Sequence, residues 1–333
     1  SFIGAEELFK NLNNRDRAFD AAYRHIYAYN LEEEEKRSID YGSYFNCLEG
    51  FLEGYKGLPA KEYPYHEKQI DYYKNKAKYF FYNKRDFDTA CKFSKEAYEY
   101  AERILRKYPT EDFKRVIRLN KAFYWRAKAN LLKKARVLDH HKIAEYYEEA
   151  AQNSEKREKY MDLANYYKHK AIAFEVGNNP EKFFENIEKS IEFETKLGVE
   201  DVKDYLDDLK NESLLVFPYI EDLAKSLDDF LEIAKEPDKL WDFLSLIIQS
   251  ERTIYYYREG TKDTIKVSRE AQDYAKKLYE KYPSEDIERL ISINEAFYWM
   301  AAAKMWENAQ AQLPDNLKIA KAYEKAAQAS EKF

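Results

Sequence analysis

The sequence predicts an all-α protein, an α-solenoid of antiparallel helix pairs in two related halves. Three observations predict it: few turn-forming residues, apolar stripes at helical spacing, and an internal repeat. Gly and Pro number only eight each in 333 residues, well below ordinary usage. An all-β fold needs more of both for its turns, and nucleotide-binding loops need several glycines close together. Hydrophobic residues make up 45% and charged residues 35%. That is enough for a core inside a strongly solvated exterior, and it is not the composition of a disordered chain.

The repeat organises the rest. At an offset of 174, residues 92–129 align without a gap on 266–303, with 20 of 38 positions identical. KFSKEA meets KVSREA, KYPTED meets KYPSED, and NKAFYWRAKA meets NEAFYWMAAA. The second copy then gains two residues, after which 142–156 aligns on 318–332 with 11 of 15 identical. Upstream, YFFYNKR faces TIYYYRE more loosely. Self-similarity at such a period marks a repeat architecture, and it places the two halves at 1–174 and 175–333.

In chain order, the first unusual segment holds four of the eight glycines within sixteen residues, from Gly42 to Gly57. Gly50 and Gly54 share one helix face, which suits either a close helix crossing that excludes bulk or a hinge or groove wall. A loop is expected from Gly57 to Tyr65. The helix through KEAYEYAERILRKY stops at Tyr108, because Pro109 disfavours a helical conformation in the residue before it. Thr110 then caps a new helix whose first turn carries Glu111 and Asp112. Ser284, Glu285 and Asp286 repeat the device.

From there Phe113, Ile117, Asn120, Tyr124, Ala127 and Leu131 recur at spacings of three and four, one continuous face. Three consecutive aromatics, Phe123, Tyr124 and Trp125, cannot share that face. The helix must be covered on several sides, so the triplet reads as three separate packing contacts, or else as an aromatic platform for a ligand. DHHK (139–142) reads as a loop, and a helix follows at 160–176. The second copy ends at Phe333, directly after its SEK. Its last, Ala-rich helix is therefore expected to be covered by a partner or neighbouring subunit, or to continue in a longer protein, where an effector or ATPase domain would lie.

Several of these segments resemble tetratricopeptide repeats. Tyr160, Leu163, Ala164 and Tyr167 match the first half of that motif, with Tyr in the Trp position and Ala in the Gly position. Tyr73, Ala77 and Phe80 match it in part. Ile143, Tyr147 and Ala150, and again Ile319, Tyr323 and Ala326, match the second half. The helices are longer than a 34-residue repeat permits, which is similar to the longer-helix, attachment-protein-like members of the superfamily. The resemblance implies a scaffold that holds a peptide or protein segment in a concave groove, some members clamping a carboxylate with Asn and Lys. Asn120 and Asn294, with Tyr124 and Tyr298, are the partner-binding candidates on that reading. The alternative for the two amides is an interhelical hydrogen bond. Arg115 and Arg289 lie on the opposite side of the same helices and do not converge with them.

Composition narrows the function classes. Net charge is −6, with 56 basic and 62 acidic residues, and the most basic segment, 114–136, is not matched in the second copy. The electrostatic term that dominates duplex binding is thus missing overall, so nucleic acid is not the expected partner. Single-stranded RNA, its bases stacked on some of the 31 Tyr, is the alternative. The Tyr, Lys and Glu content is thermophile-like. Cys47 and Cys91 form no pattern and suit a reducing compartment. No run of eighteen apolar residues exists and Ser1 begins no signal-like segment, so the expected location is the cytoplasm, with no membrane contact.

No nucleophile elbow, P-loop or dinucleotide fingerprint occurs. The five histidines (His25, His66, His140, His141, His169) and the acidic run at 32–35 show no ligand spacing, so no metal and no cofactor are expected. The expectation is a non-enzymatic protein-interaction scaffold without catalytic residues, which also leaves room for self-association at the C-terminal end.

Overall fold

A computed structural model describes residues 41–56, 62–135, 139–198, 237–260, 263–309 and 316–331, together with Ala18, Ala21 and Ala22. The acidic run at 32–35 lies outside these. Among the described residues there are eleven α-helices, one π-helical turn and no strand. The helices are α1 (Tyr41–Tyr55), α2 (Glu62–Lys78), α3 (Phe87–Leu105), α4 (Glu111–Lys133), α5 (His140–Asn153) and α6 (Lys156–Val176), then α7 (Pro180–Thr195), α8 (Pro237–Arg258), α9 (Thr264–Lys281), α10 (Glu285–Ala309) and α11 (Asn316–Ser330). The π-helical turn, Tyr79–Asn83, sits between α2 and α3. No described helix is long and apolar enough to cross a membrane.

Two compact units result, Ser1–Asp162 and Leu163–Phe333. This division and the repeat boundary at 174 both fall within α6. Within the first unit Asp162 bonds Arg126, and within the second the Ala164 carbonyl accepts from Ser190 Oγ at 2.6 Å.

In the first unit each helix packs on the next, α1 on α2, α2 on α3, α3 on α4 and α4 on α5. Leu48, Phe51 and Tyr55 of α1 form one core, with Tyr72 and Tyr79 against it. Phe81, Phe87, Phe123 and Ala127 form another where the π turn, α3 and α4 meet. In the second unit α8 packs against α7, α9 and α10, and α10 against α11. Phe183, Ile187, Leu240, Leu244 and Leu290 are all at most 5% exposed there, each contributing roughly 2–3 kcal/mol by leaving water.

Local chemistry sets the boundaries. Thr110 Oγ1 accepts from Phe113 N at 3.3 Å, and Ser284 Oγ accepts from Ile287 N at 3.3 Å, as the capping signals predict. Asn179 caps α7, with Pro180 in its first turn. DHHK is not a loop: Asp139 caps α5, accepting from Lys142 N at 2.9 Å, and His140 and His141 enter its first turn. An aspartate before a histidine pair supplies the acceptor that the orphan amides need.

The glycines give a second correction. Gly50 and Gly54 lie on the exposed face of α1, and a Cβ at either would meet nothing within 4 Å. Among the described residues no close crossing requires them, and in a helix they cost stability. Gly50→Ala and Gly54→Ala should each stabilise the protein by roughly 0.5–1 kcal/mol, seen as a higher midpoint in urea. Unchanged or lower midpoints would show that α1 needs the glycines after all.

Candidate functional site

The repeated triplet does three different things. Phe123 packs on Phe81 of the π turn at 5.1 Å between centroids. Tyr124 meets Tyr98 of α3 edge-on at 5.8 Å, and Trp125 stacks on Tyr146 of α5 at 5.4 Å. In the second copy Phe297 packs on Tyr257 of α8 at 5.1 Å. Tyr298 receives Arg269 Nη2 from α9 at 3.2 Å, and Lys325 of α11 lies 4.0 Å above the Trp299 ring. One helix is thus held from three sides in each copy. Such aromatic pairs add about 0.5–1.5 kcal/mol each beyond their buried area.

The four partner-binding candidates separate into two kinds. Asn120 is 3% exposed and its Nδ2 donates to Val116 O at 2.9 Å. Asn294 is fully buried and its Nδ2 donates to Ser250 Oγ at 2.9 Å and Leu290 O at 2.8 Å. Both amides thus point into the packing. Tyr124 and Tyr298 are only half-buried. Arg115 is engaged elsewhere, sharing Glu155 with Arg118 at 2.9 and 2.7 Å.

Two polar clusters lie in the first unit. Arg126, nearly inaccessible, grips Asp162 with two bonds of 2.8 Å, while Ser154 Oγ donates to the same carboxylate and Glu158 lies at 3.4 Å. Burial is the largest single influence and lowers the Arg126 pKa, but the hydrogen bonds and charge of Asp162, with the charge of Glu158, together outweigh it and raise it. Near α1, Lys76 Nζ lies 4.5 Å from the Tyr72 ring centroid, 5.6 Å from Phe45 and 5.5 Å from Phe93, and donates to Glu49 at 2.9 Å. Hydrogen bonds from Tyr72 and Lys76 lower the Glu49 pKa. Both clusters complete themselves, as buried or half-buried charges must.

An open cavity lies in the second unit, a cleft of about 240 Å³ among α7, α8 and α9. Phe184, Ile248 and Val267 form its apolar floor, and Glu181, Glu185, Glu188, Glu270 and Arg252 its charged wall. Glu185 is held by Lys189 at 2.6 Å, whose hydrogen bond lowers its pKa. Glu188 accepts from Ser245 Oγ at 3.0 Å. Arg252 Nε is buried without a hydrogen-bond acceptor among the described residues, its guanidinium 5.8 Å from the Tyr256 ring. The sequence reading passed over this cleft. Its signal was Glu181, Glu185 and Glu188 at spacings of four and three, one acidic helix edge. That they face Ile248 and Val267 across other helices leaves no trace in their spacing.

Among the described residues no three His, Cys, Asp or Glu side chains converge as a metal site, and burial pushes the Cys91 thiol up to about 11. No family model, curated protein or solved structure matches the chain.

Proposed function

We propose that the chain is a non-enzymatic protein-interaction scaffold, a tetratricopeptide-like α-solenoid of duplicated antiparallel helix pairs working in the cytoplasm. Its cleft among α7, α8 and α9 receives a basic segment of a protein partner. The observation that carries this reading is the cleft's composition: four carboxylates and one guanidinium around a floor of Phe184, Ile248 and Val267. A Lys or Arg side chain fits such a wall, its stem lying on apolar surface and its charge on carboxylates. The sequential packing of helices and the small Ala164, whose carbonyl takes the Ser190 hydroxyl, agree with a helical repeat that keeps small residues at close contacts.

The test is fluorescence anisotropy with a lysine-rich peptide, its glutamate-rich counterpart and an oligouridylate. The basic peptide should bind, and Glu181→Gln with Glu188→Gln should weaken it about tenfold, since each partly exposed ion pair is worth up to about 1 kcal/mol. The effect should fade with added salt. Binding of the oligouridylate alone, unaffected by the Gln changes, would transfer the function to single-stranded RNA.

A further inference from the structure

The cleft among α7, α8 and α9 holds charges of both signs that do not pair with each other. Glu185 is taken by Lys189 at 2.6 Å and Glu270 by Lys266 at 3.9 Å. Glu181 and Glu188 pair with no cation among the described residues, and Arg252 pairs with no carboxylate there although four line the same cleft. Its guanidinium is half-buried and its Nε, fully covered, lacks an acceptor, which leaves a desolvation cost unmet. Burial raises the Tyr256 phenol pKa, while Arg252 lowers it and the Glu181 charge raises it, so both charges reach one ring.

We propose, on the same reading of the cleft, that Arg252 is its selectivity residue and binds an acidic side chain of the partner, two positions from the basic residue held by the α7 carboxylates. The occupant is an extended segment of a protein partner with the pattern Lys-x-Glu. A cleft of about 240 Å³ is smaller than most sites for drug-sized ligands. It admits an extended strand but not a helix, which is about 10–12 Å across. Glu181 and Glu188 stand on α7 and Arg252 on α8, helices that pack on each other, and packed helices lie about 8–10 Å apart. Residues i and i+2 of an extended chain point the same way about 7 Å apart, so two long side chains of opposite sign reach both helices at once. The guanidinium takes a carboxylate through paired N–H bonds. A purely basic segment would set a second cation against Arg252, which disfavours it. A phosphate would bring excess negative charge among four carboxylates.

The experiment uses the full chain and three fluorescent peptides, capped at both ends and differing at one position: Lys-x-Glu, Lys-x-Gln and Lys-x-Lys, read by anisotropy. Lys-x-Glu should bind about tenfold more tightly than Lys-x-Gln, the contribution of one charge-assisted hydrogen bond, and Lys-x-Lys should bind least tightly. Arg252→Gln should abolish the preference for Glu and let Lys-x-Lys bind most tightly, without lowering the thermal midpoint. Arg252→Lys, which keeps the charge but not the fork, should keep part of the preference. Glu181→Gln with Glu188→Gln should weaken all three peptides and preserve their order. Equal affinity of the unaltered chain for Lys-x-Glu and Lys-x-Gln overturns the role of Arg252 and leaves the cleft a receptor for basic segments. A preference that survives Arg252→Gln also overturns it. Failure of all three peptides to bind overturns both at once. A Lys-x-Gln peptide with a free C-terminal carboxylate that outbinds capped Lys-x-Glu overturns it too, by giving Arg252 to a chain end.

Discussion

Arg126→Met should lower the free energy of unfolding by about 3–5 kcal/mol, because it strands a buried carboxylate. Asp162 is fully buried and accepts two guanidinium bonds of 2.8 Å. The Ser154 hydroxyl alone does not replace them. The Met substitution is also what the second copy carries at position 300, so the helix itself accommodates it. The damage should therefore come from the unpaired Asp162, not from α4. Adding Asp162→Leu should recover most of the loss, since replacing both members of a buried pair by apolar groups is often close to neutral. Urea unfolding followed by circular dichroism measures both. If the double variant is no more stable than the single one, Arg126 matters through its packing and not its charge.

Raising the pH from about 5 to about 8 should destabilise the protein through Glu251 by roughly 3 kcal/mol. This carboxyl is 4% exposed on α8, and its Oε1 has no hydrogen-bond partner among the described residues. Burial raises its pKa from the ordinary 4.5 to about 7, against a smaller opposing pull from Arg258. The folded state holds the proton more tightly than the unfolded one. Its stabilising contribution is complete below about 4.5 and is lost as pH rises through about 7. Each pH unit in that window costs about 1.4 kcal/mol. Glu251→Gln keeps the shape without the titration, so its urea midpoint should stay flat where that of the unaltered chain falls. Parallel curves for the two proteins would mean that Glu251 is already solvated or paired when ionised.

The features read correctly from sequence are those that contiguous residues determine. Thr110 and Ser284 accept the amides of Phe113 and Ile287 because a hydroxyl at that place and an amide three residues later always lie close. The triplet at Phe123 needed three different covers because successive side chains on a helix diverge by about 100°, and Phe81, Tyr98 and Tyr146 supply them. Where the reading went astray, the neighbours were decisive. Gly50 and Gly54 suggested a close approach, yet only the position of other helices shows that their face is open. The spacing left Asn120 and Asn294 open as packing amides or as ligands; both are buried, and Asn294 reaches Ser250 of another helix.

By itself the sequence determined an all-α chain, its cap positions, the repeated segment and the faces each repeated helix must bury. Those follow from helical period, capping chemistry and side-chain polarity, all local properties. Tertiary structure alone decided that Glu181, Glu185 and Glu188 share a cleft with Ile248, Val267 and Arg252. It alone decided that the same Ala, Tyr, Ala and Ser are buried along α5 and its C-cap, Ser154, and exposed on α11. Identical residues acquire opposite roles there because burial depends on what packs outside a helix, and that is not written in the helix itself.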